Sequence, residues 1–271
     1  MIHLLTRSVC ERLTQEDAVL VHVERTEGSA PRDAGTWMAV FAHDLLGTIG
    51  GGQLELQATE EARRRLAGAA PDDARPRRYP LGPSLGQCCG GVVYLRFERV
   101  GTADRAALAA RLAQALSPVA LFGGGHVGRA LARVLASLPY ALTWIDSRDE
   151  IFPADVPPQV HCEHSDPVQA AVPALSPGTQ VLVMSFSHAE DLDIVAACLR
   201  RQRERADLPF IGLIGSHTNW ATFRHRLAER GFSQDELVHV TSPIGLPGIA
   251  GKEPEVIAVS VAAQLLARRA V

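Results

Sequence analysis

Lysine is almost absent from this sequence, since Lys252 is the only lysine among the 27 basic residues. This excludes most mechanisms that depend on a lysine, including the Tyr-x-x-x-Lys pair of many small dehydrogenases. Long apolar runs are also missing, and no stretch approaches the ~20 residues that a membrane-spanning helix needs. The formal net charge of −3 argues against nucleic acid or an anionic membrane as the main partner.

Cysteine is sparse as well, with five residues in a chain of 271. An odd number in a chain of this size is typical of a reducing compartment rather than of a disulfide scaffold. The N-terminal residues mix acidic and basic side chains in a helical pattern, unlike a secretory signal peptide. We therefore expect a cytoplasmic protein, and the length suggests about two domains.

The most informative pattern is a glycine-rich turn between two apolar runs within residues 119–146. The run Val119 to Phe122 is followed by Gly-Gly-Gly-His-Val-Gly, which fits G-x-G-x-x-G, then by a helical pattern and a second run that ends on Asp146. A strand, a glycine turn, a helix and a strand with a terminal acid together predict a mononucleotide-binding unit.

Each glycine of this turn has a predicted role. Gly123 would form the tight turn, Gly125 would allow a phosphate to approach, and Gly128 would let the helix pack on the strand. The free N–H groups and positive dipole end of the helix that follows would face the phosphate, and His126 is a further candidate for cofactor binding. A glycine-rich turn that binds no ligand is the alternative.

Strands and helices continue to alternate after this unit, which predicts a parallel sheet covered by helices on both faces. The first part of the chain differs, since its predicted strands are separated by glycine- and proline-rich loops. We predict an α/β protein with two domains. The smaller, N-terminal α+β domain would span residues 1–103, and the Rossmann-type sheet with a C-terminal helix would span residues 104–271.

A second glycine run lies in the N-terminal domain, where Gly51 and Gly52 precede Gln53 and Glu55 at a predicted helix start. Such a loop can hold an anion or a flat ring. A carboxylate is also a natural partner for the 2-amino and ring N–H edge of a pterin or guanine. A capped helix start with a surface glutamate explains the same residues.

The doubled cysteine Cys88-Cys89 precedes Gly90 and Gly91. Adjacent cysteines cannot both bind a metal as a Cys-x-x-Cys pair does, and no partner pair exists elsewhere, which argues against a structural zinc site. A loop bounded by glycines can expose a thiolate, and thiolates suit metal centres and sulfur handling. Two small hydrophobic side chains at a strand start are the alternative.

His188 follows the predicted strand at residues 180–186, on the carboxyl edge where ligands bind such sheets. With Asp191 nearby in sequence, it is a candidate catalytic or cofactor-binding histidine. A helix start capped by Ser187 explains the segment nearly as well.

Taken together, these segments resemble the XdhC family, the accessory proteins of xanthine dehydrogenase maturation. The resemblance spans residues 27 to 258 and rests on EGSAPRDAGTWM, GTIGGGQLE, LGPSLGQCCGG, ALFGGGHVG, SFSHAEDLD, FIGLIGS and SPIGLPGIAGKEPEVIA, in this order. It implies an accessory protein rather than an enzyme. Such a protein binds molybdenum cofactor, protects it and delivers its sulfurated form to apo xanthine dehydrogenase, together with a cysteine desulfurase.

The residues singled out above suit that cargo, which carries a phosphate monoester, a pterin edge and a dithiolene-bound metal. We expect the turns at 123–128 and 50–52 to hold phosphate, and Gln53 and Glu55 to bind the pterin. Cys88 or Cys89 would contact the metal or shield its sulfur. We also expect a homodimer.

Two alternatives stay open. The first is an NAD-dependent oxidoreductase, because Asp146 lies close to where an acid that binds the ribose belongs. The second is a dimeric scaffold whose Rossmann unit has lost its ligand.

Overall fold

The computed structural model describes residues 2–70, 73, 75–82, 90–112 and 116–268, with side chains from residue 5 onward. The chain divides into two compact units, Met1–Gln114 and Ala115–Val271. None of the helices in these ranges combines the length and the apolar composition that crossing a membrane requires.

The first unit is built on an antiparallel sheet of five strands in the order β3-β2-β1-β5-β4. A short 3-10 helix, Thr102–Asp104, precedes its last helix. Its elements are α1 (Ile2–Arg12), β1 (Ala18–Glu27), β2 (Trp37–Val40), β3 (Leu45–Gly47), α2 (Gly52–Leu66), β4 (Arg77–Pro80), β5 (Val92–Val100) and α3 (Arg105–Leu112).

Helices cover both faces of this sheet because β1 alternates its side chains between two cores. Val19 and Val21 pack with α2 on one face, and Leu20 packs with α1 and α3 on the other. Helix α3 therefore belongs to the first unit, where Thr6 Oγ1 donates a hydrogen bond to the Leu112 carbonyl (3.5 Å). The boundary between the two units lies after α3, whereas the sequence predicts a boundary before that helix, after residue 103.

The second unit is a parallel sheet of six strands in the order β11-β10-β9-β6-β7-β8. A 3-10 helix, Val168–Ala174, precedes β9. Its elements are β6 (Ser117–Phe122), α4 (His126–Ala136), β7 (Tyr140–Asp146), β8 (His161–His164), β9 (Gln180–Val183), α5 (His188–Arg205), β10 (Phe210–Leu213), α6 (His217–Glu229), α7 (Gln234–Leu237), β11 (Val240–Thr241) and α8 (Pro254–Arg268).

This sheet has a core on each face, which explains why its central strands are mostly apolar. Leu121 and Leu182 pack with α4 and α8, whereas Val181 and Val183 pack with α5 and α6. The predicted α/β fold, with a Rossmann-type parallel sheet and a separate N-terminal unit, is confirmed.

The strand order also locates the crevice in which such sheets bind ligands. Counted from one to six within this unit, the strands lie in the order 6-5-4-1-2-3, as in doubly wound dinucleotide-binding folds. The chain reverses its direction of winding between β6 and β9. Ligands bind such folds outside the carboxyl ends of the strands at this switch point.

Candidate functional site

The glycine turn connects β6 to α4 at this switch point. Gly123 has a φ of 122°, and a Cβ on it would lie 1.9 Å from the carbonyl oxygen of Met184. A Cβ on Gly128 would lie 2.0 Å from the carbonyl oxygen of Gly123. Both positions therefore need glycine for packing, the first against the segment after β9 and the second between α4 and its strand.

Gly125 differs from both, because a Cβ built on it meets nothing within 4 Å. It is the N-cap residue of α4, and no side chain of the described residues caps this helix. By contrast, Ser187 caps α5 and Ser216 caps α6 through hydrogen bonds of 3.2 Å. Gly125 and His126 are exposed at the start of α4, so its first N–H groups face open space and can bind an anion.

The carboxylate of Asp146, at the end of β7, holds the glycine turn in place. Its Oδ2 accepts hydrogen bonds from the Gly124 backbone N–H (2.6 Å) and from Arg148 Nη2 (2.9 Å). Its Oδ1 accepts hydrogen bonds from the backbone N–H and Nε of Arg148, both at 2.9 Å. Burial alone would raise the pKa of Asp146, but these hydrogen bonds outweigh it and lower the pKa. The predicted contact of Asp146 with a ribose stays a prediction, which this arrangement does not favour.

Sequence reasoning missed three residues beside this turn. The Arg148 guanidinium carbon lies 4.7 Å from the centroid of the Phe186 ring, which is 66% exposed. Ile151 lies against Gly124, where a Cβ would approach its Cγ1 to 2.7 Å. An arginine two positions after a strand-terminal acid was the only signal in the sequence, because the Phe186 contact joins residues far apart in the chain.

His188 begins α5, beside the glycine turn. Ser185, three residues before His188, connects α5 to the glycine turn. Its Cα lies 3.1 Å from the position that a Cβ on Gly123 would take. The Oδ1 atom of Asp191 accepts hydrogen bonds from the backbone N–H (2.8 Å) and Oγ (2.7 Å) of Ser185. Burial raises the pKa of Asp191.

The His188 imidazole packs edge-on against the Phe223 ring, with the ring centroids 5.9 Å apart. His188 Nδ1 lies 3.7 Å from Asp191 Oδ2, longer than a hydrogen bond, and its side chain is 69% exposed. Ser187 caps the helix, as the structural alternative predicted. A role for His188 in binding a ligand stays a prediction.

The second predicted glycine turn lies in the first unit, where Gly50, Gly51 and Gly52 have φ values of 123°, 74° and 63°. Glu55 Oε2 accepts hydrogen bonds from the backbone N–H groups of Ile49 (3.0 Å) and Gly51 (3.1 Å). The Glu55 carboxylate thus accepts hydrogen bonds from backbone N–H groups that were expected to bind an anion. Its negative charge would also repel a phosphate. The structure favours a helix start closed by its own glutamate, next to the exposed Gln53.

One glycine-containing loop of the first unit, residues 27–32, packs against two others. A Cβ on Gly91 would lie 2.3 Å from the carbonyl oxygen of Ser29, and a Cβ on Gly50 would lie 2.7 Å from Pro31 Cβ. We call these loops, residues 27–32, 50–52 and 90–91, the loop cluster. Described residues of the segments that carry the resemblance in the N-terminal unit therefore lie against the loop 27–32.

The doubled cysteine lies outside the described residues, and Cys89 directly precedes Gly90 of the loop cluster. The predicted roles of Cys88 and Cys89 at a metal stay predictions. In the part of the chain that the structure describes, no group of three or more metal-ligating side chains comes together. Burial raises the pKa of the Cys198 thiol to about 12.

Comparison with known proteins matches both units to the same family. Residues 119–265 match the model of the XdhC Rossmann domain, and residues 12–78 match that of the XdhC and CoxI family. The chain is 25% identical over 249 residues to the uncharacterized protein YqeB of Escherichia coli K12. That alignment covers 91% of this chain and 42% of YqeB, so the chain spans less than half the length of this relative.

A solved structure shows the same fold over nearly the whole chain. The crystal structure of a xanthine dehydrogenase from Bacillus halodurans superposes with a TM-score of 0.77 and 20% sequence identity. The match covers 97% of this chain and 96% of that one. At this identity the likeness concerns the fold alone.

Proposed function

The chain belongs to the XdhC family, and we propose that it is an accessory protein that carries molybdenum cofactor to apo xanthine dehydrogenase. The cofactor is cargo in this proposal, and the protein acts on it by binding and protection rather than as an enzyme. A cysteine desulfurase that supplies the sulfido ligand, and a second copy of the chain, are further proposed partners.

The observation that carries the proposal is the uncapped start of α4. Gly125 leaves open space above the first N–H groups of the helix, and no side chain of the described residues caps them. A phosphate monoester such as that of the cargo suits such a helix end, because the backbone donors and the helix dipole both favour negative charge.

Asp146 supports this role without touching the cargo. Its carboxylate fixes the Gly124 N–H, and Trp144 Nε1 donates a hydrogen bond to the Gly123 carbonyl (2.9 Å). The first two residues of the turn, Gly123 and Gly124, are therefore fixed before a ligand arrives. Such preorganisation reduces the cost of binding, since little conformational freedom remains to be lost.

Protection of the sulfido ligand is a separate part of the proposal and concerns Cys88 and Cys89. We expect one of the two thiols to act and the other to be structural. Alanine at the functional position should reduce cofactor retention or transfer with little change in melting temperature. If both alanine variants lose only stability, the cysteines take no part in sulfur protection.

Binding of the cargo is tested directly with the purified chain under anaerobic conditions. We expect ultrafiltration or calorimetry with freshly released molybdenum cofactor to show a Kd of about 1 μM or below. The loaded protein should restore activity to cofactor-free xanthine dehydrogenase. Absence of cofactor binding, with the protein folded, would refute the proposal.

A further inference from the structure

The nucleotide crevice of the second unit is closed on its β7 side by the protein's own side chains. We propose that Arg148 excludes nicotinamide dinucleotides from this crevice and restricts it to ligands anchored by a phosphate at α4. This inference rests on the proposed function, since it narrows the chemistry of the ligand that the same site accepts.

The first argument is the hydrogen bonding of Asp146. In dinucleotide-binding sheets, the acid at the end of the second strand accepts hydrogen bonds from the ribose hydroxyls. A carboxylate has about four acceptor positions. Here all of them are used, by the Gly124 N–H and by the backbone N–H, Nε and Nη2 of Arg148. With its side chain only 1% exposed, Asp146 offers a ribose no free acceptor.

The second argument is the position of the Arg148 side chain. Arg148 follows β7 and Phe186 follows β9, and β6 lies between these two strands. Strands two places apart are separated by ~9.6 Å. The contact between the guanidinium and the Phe186 ring therefore crosses the carboxyl end of β6, where the glycine turn begins. The adenosine half of a dinucleotide would have to displace this contact.

The third argument is charge. Ser147 Oγ donates a hydrogen bond to Glu190 (2.6 Å), and the Asp149 side chain is 84% exposed beside His164. Both carboxylates lie close to Arg148 in the chain or in space. They oppose the 2′-phosphate of NADP, which would lie beside the strand-terminal acid on the β7 side, whereas the region around Gly125 stays open to a phosphate.

The substitution Arg148→Ala tests this inference by a gain of binding. It removes one side-chain hydrogen bond from each oxygen of Asp146 and keeps the two from backbone N–H groups. Two acceptor positions then become available to the two ribose hydroxyls. We expect calorimetry with NAD⁺ to show at least about a tenfold lower Kd for the variant than for the wild type, which should bind NAD⁺ negligibly.

Two further variants make the result specific. Arg133 forms an exposed pair with Asp155 on the surface of α4, so Arg133→Ala should leave NAD⁺ binding negligible. The double variant Arg148→Ala with Asp146→Asn should lose much of the gain, because it removes the charged acceptor. If Arg148→Ala does not fold, Arg148→Met replaces it, since methionine keeps an apolar stem beside Phe186 and removes both side-chain hydrogen bonds to Asp146.

Each result decides the question. Wild-type protein that binds NAD⁺ as tightly as the variant would overturn the inference, and so would a folded variant without any gain. Cofactor binding by the wild-type protein is measured separately. Its absence alongside a gain of NAD⁺ binding would refute the proposed function and leave the role of Arg148 intact.

Discussion

The uncapped start of α4 predicts that one substitution should raise stability and weaken ligand binding together. Gly125→Ser places at this helix end the residue type that already caps α5 and α6. The backbone of Gly125, with φ −70° and ψ −172°, resembles that of Ser233, which caps α7 with φ −76° and ψ 164°. A serine therefore fits without strain, and its Oγ can accept a hydrogen bond from the first turn.

The expected gain in stability is small. Serine is better than glycine at an N-cap by only a few tenths of a kcal/mol. No clash offsets this gain, because a Cβ at this position meets nothing within 4 Å. The free energy of unfolding of the Gly125→Ser variant should therefore equal or slightly exceed that of the wild type.

The expected loss of binding is larger. The serine side chain enters the space left for the phosphate and takes an N–H donor that the phosphate needs. One hydrogen bond to a charged group contributes ~1.5–3 kcal/mol, so the loss of one corresponds to a Kd roughly 10 to 100 times higher.

Urea unfolding and anaerobic calorimetry with molybdenum cofactor measure the two quantities. Gly128→Ala is the matched control, because its Cβ would lie 2.0 Å from the Gly123 carbonyl oxygen and should destabilise the protein by about 1–3 kcal/mol or more. A Gly125→Ser variant that binds the cofactor as tightly as the wild type would show that the phosphate does not lie at α4.

Three other outcomes follow from the same structure. Gly91→Ala should destabilise the first unit by about 1–3 kcal/mol in urea unfolding, because its Cβ would lie 2.3 Å from the Ser29 carbonyl oxygen. Gly90→Ala, with nothing within 4 Å, should change stability by less than about 0.5 kcal/mol, and equal effects would contradict the packing of the loop cluster. Burial raises the pKa of Asp191 above its usual value of 3.8. The wild type should therefore lose stability relative to the Asp191→Asn variant as the pH rises from 3.8 through the raised pKa. A stability difference that does not change with pH would contradict this prediction. Cys198, whose pKa is raised to about 12, should resist iodoacetamide in the native protein and react in urea, and mass spectrometry that finds it labelled in the native state would contradict its burial.

The sequence predicted best where one local pattern determines the structure. The sequence locates both the helix start at the second glycine run and the G-x-G-x-x-G turn, because periodic apolar residues and glycines act over short distances. Gly123 and Gly128 proved to be packing positions, as close approach of helix and strand requires.

The sequence predicts less well those side-chain contacts for which several binding partners are available. The contact of Glu55 with a pterin edge stays a prediction, whereas backbone N–H groups of its own loop, which lie closer in the chain, donate to its Oε2. The position of α3 in the first unit and the contact of Arg148 with Phe186 depend on residues distant in sequence. No periodicity or spacing in one sequence specifies such contacts.

The Gly124 amide offers a spectroscopic view of the crevice. Its N–H donates a hydrogen bond of 2.6 Å to a buried, ionised carboxylate, so it should exchange slowly with solvent and resonate at low field. The neighbouring amide of Gly125 lies exposed at the helix start. In an NMR titration, a ligand held at α4 should shift the Gly125 resonance first, whereas movement of the Gly124 resonance would report a rearrangement of Asp146. The amide resonances of Gly124 and Gly125 can thus distinguish a ligand bound at the start of α4 from a rearrangement of Asp146, where a ribose would bind.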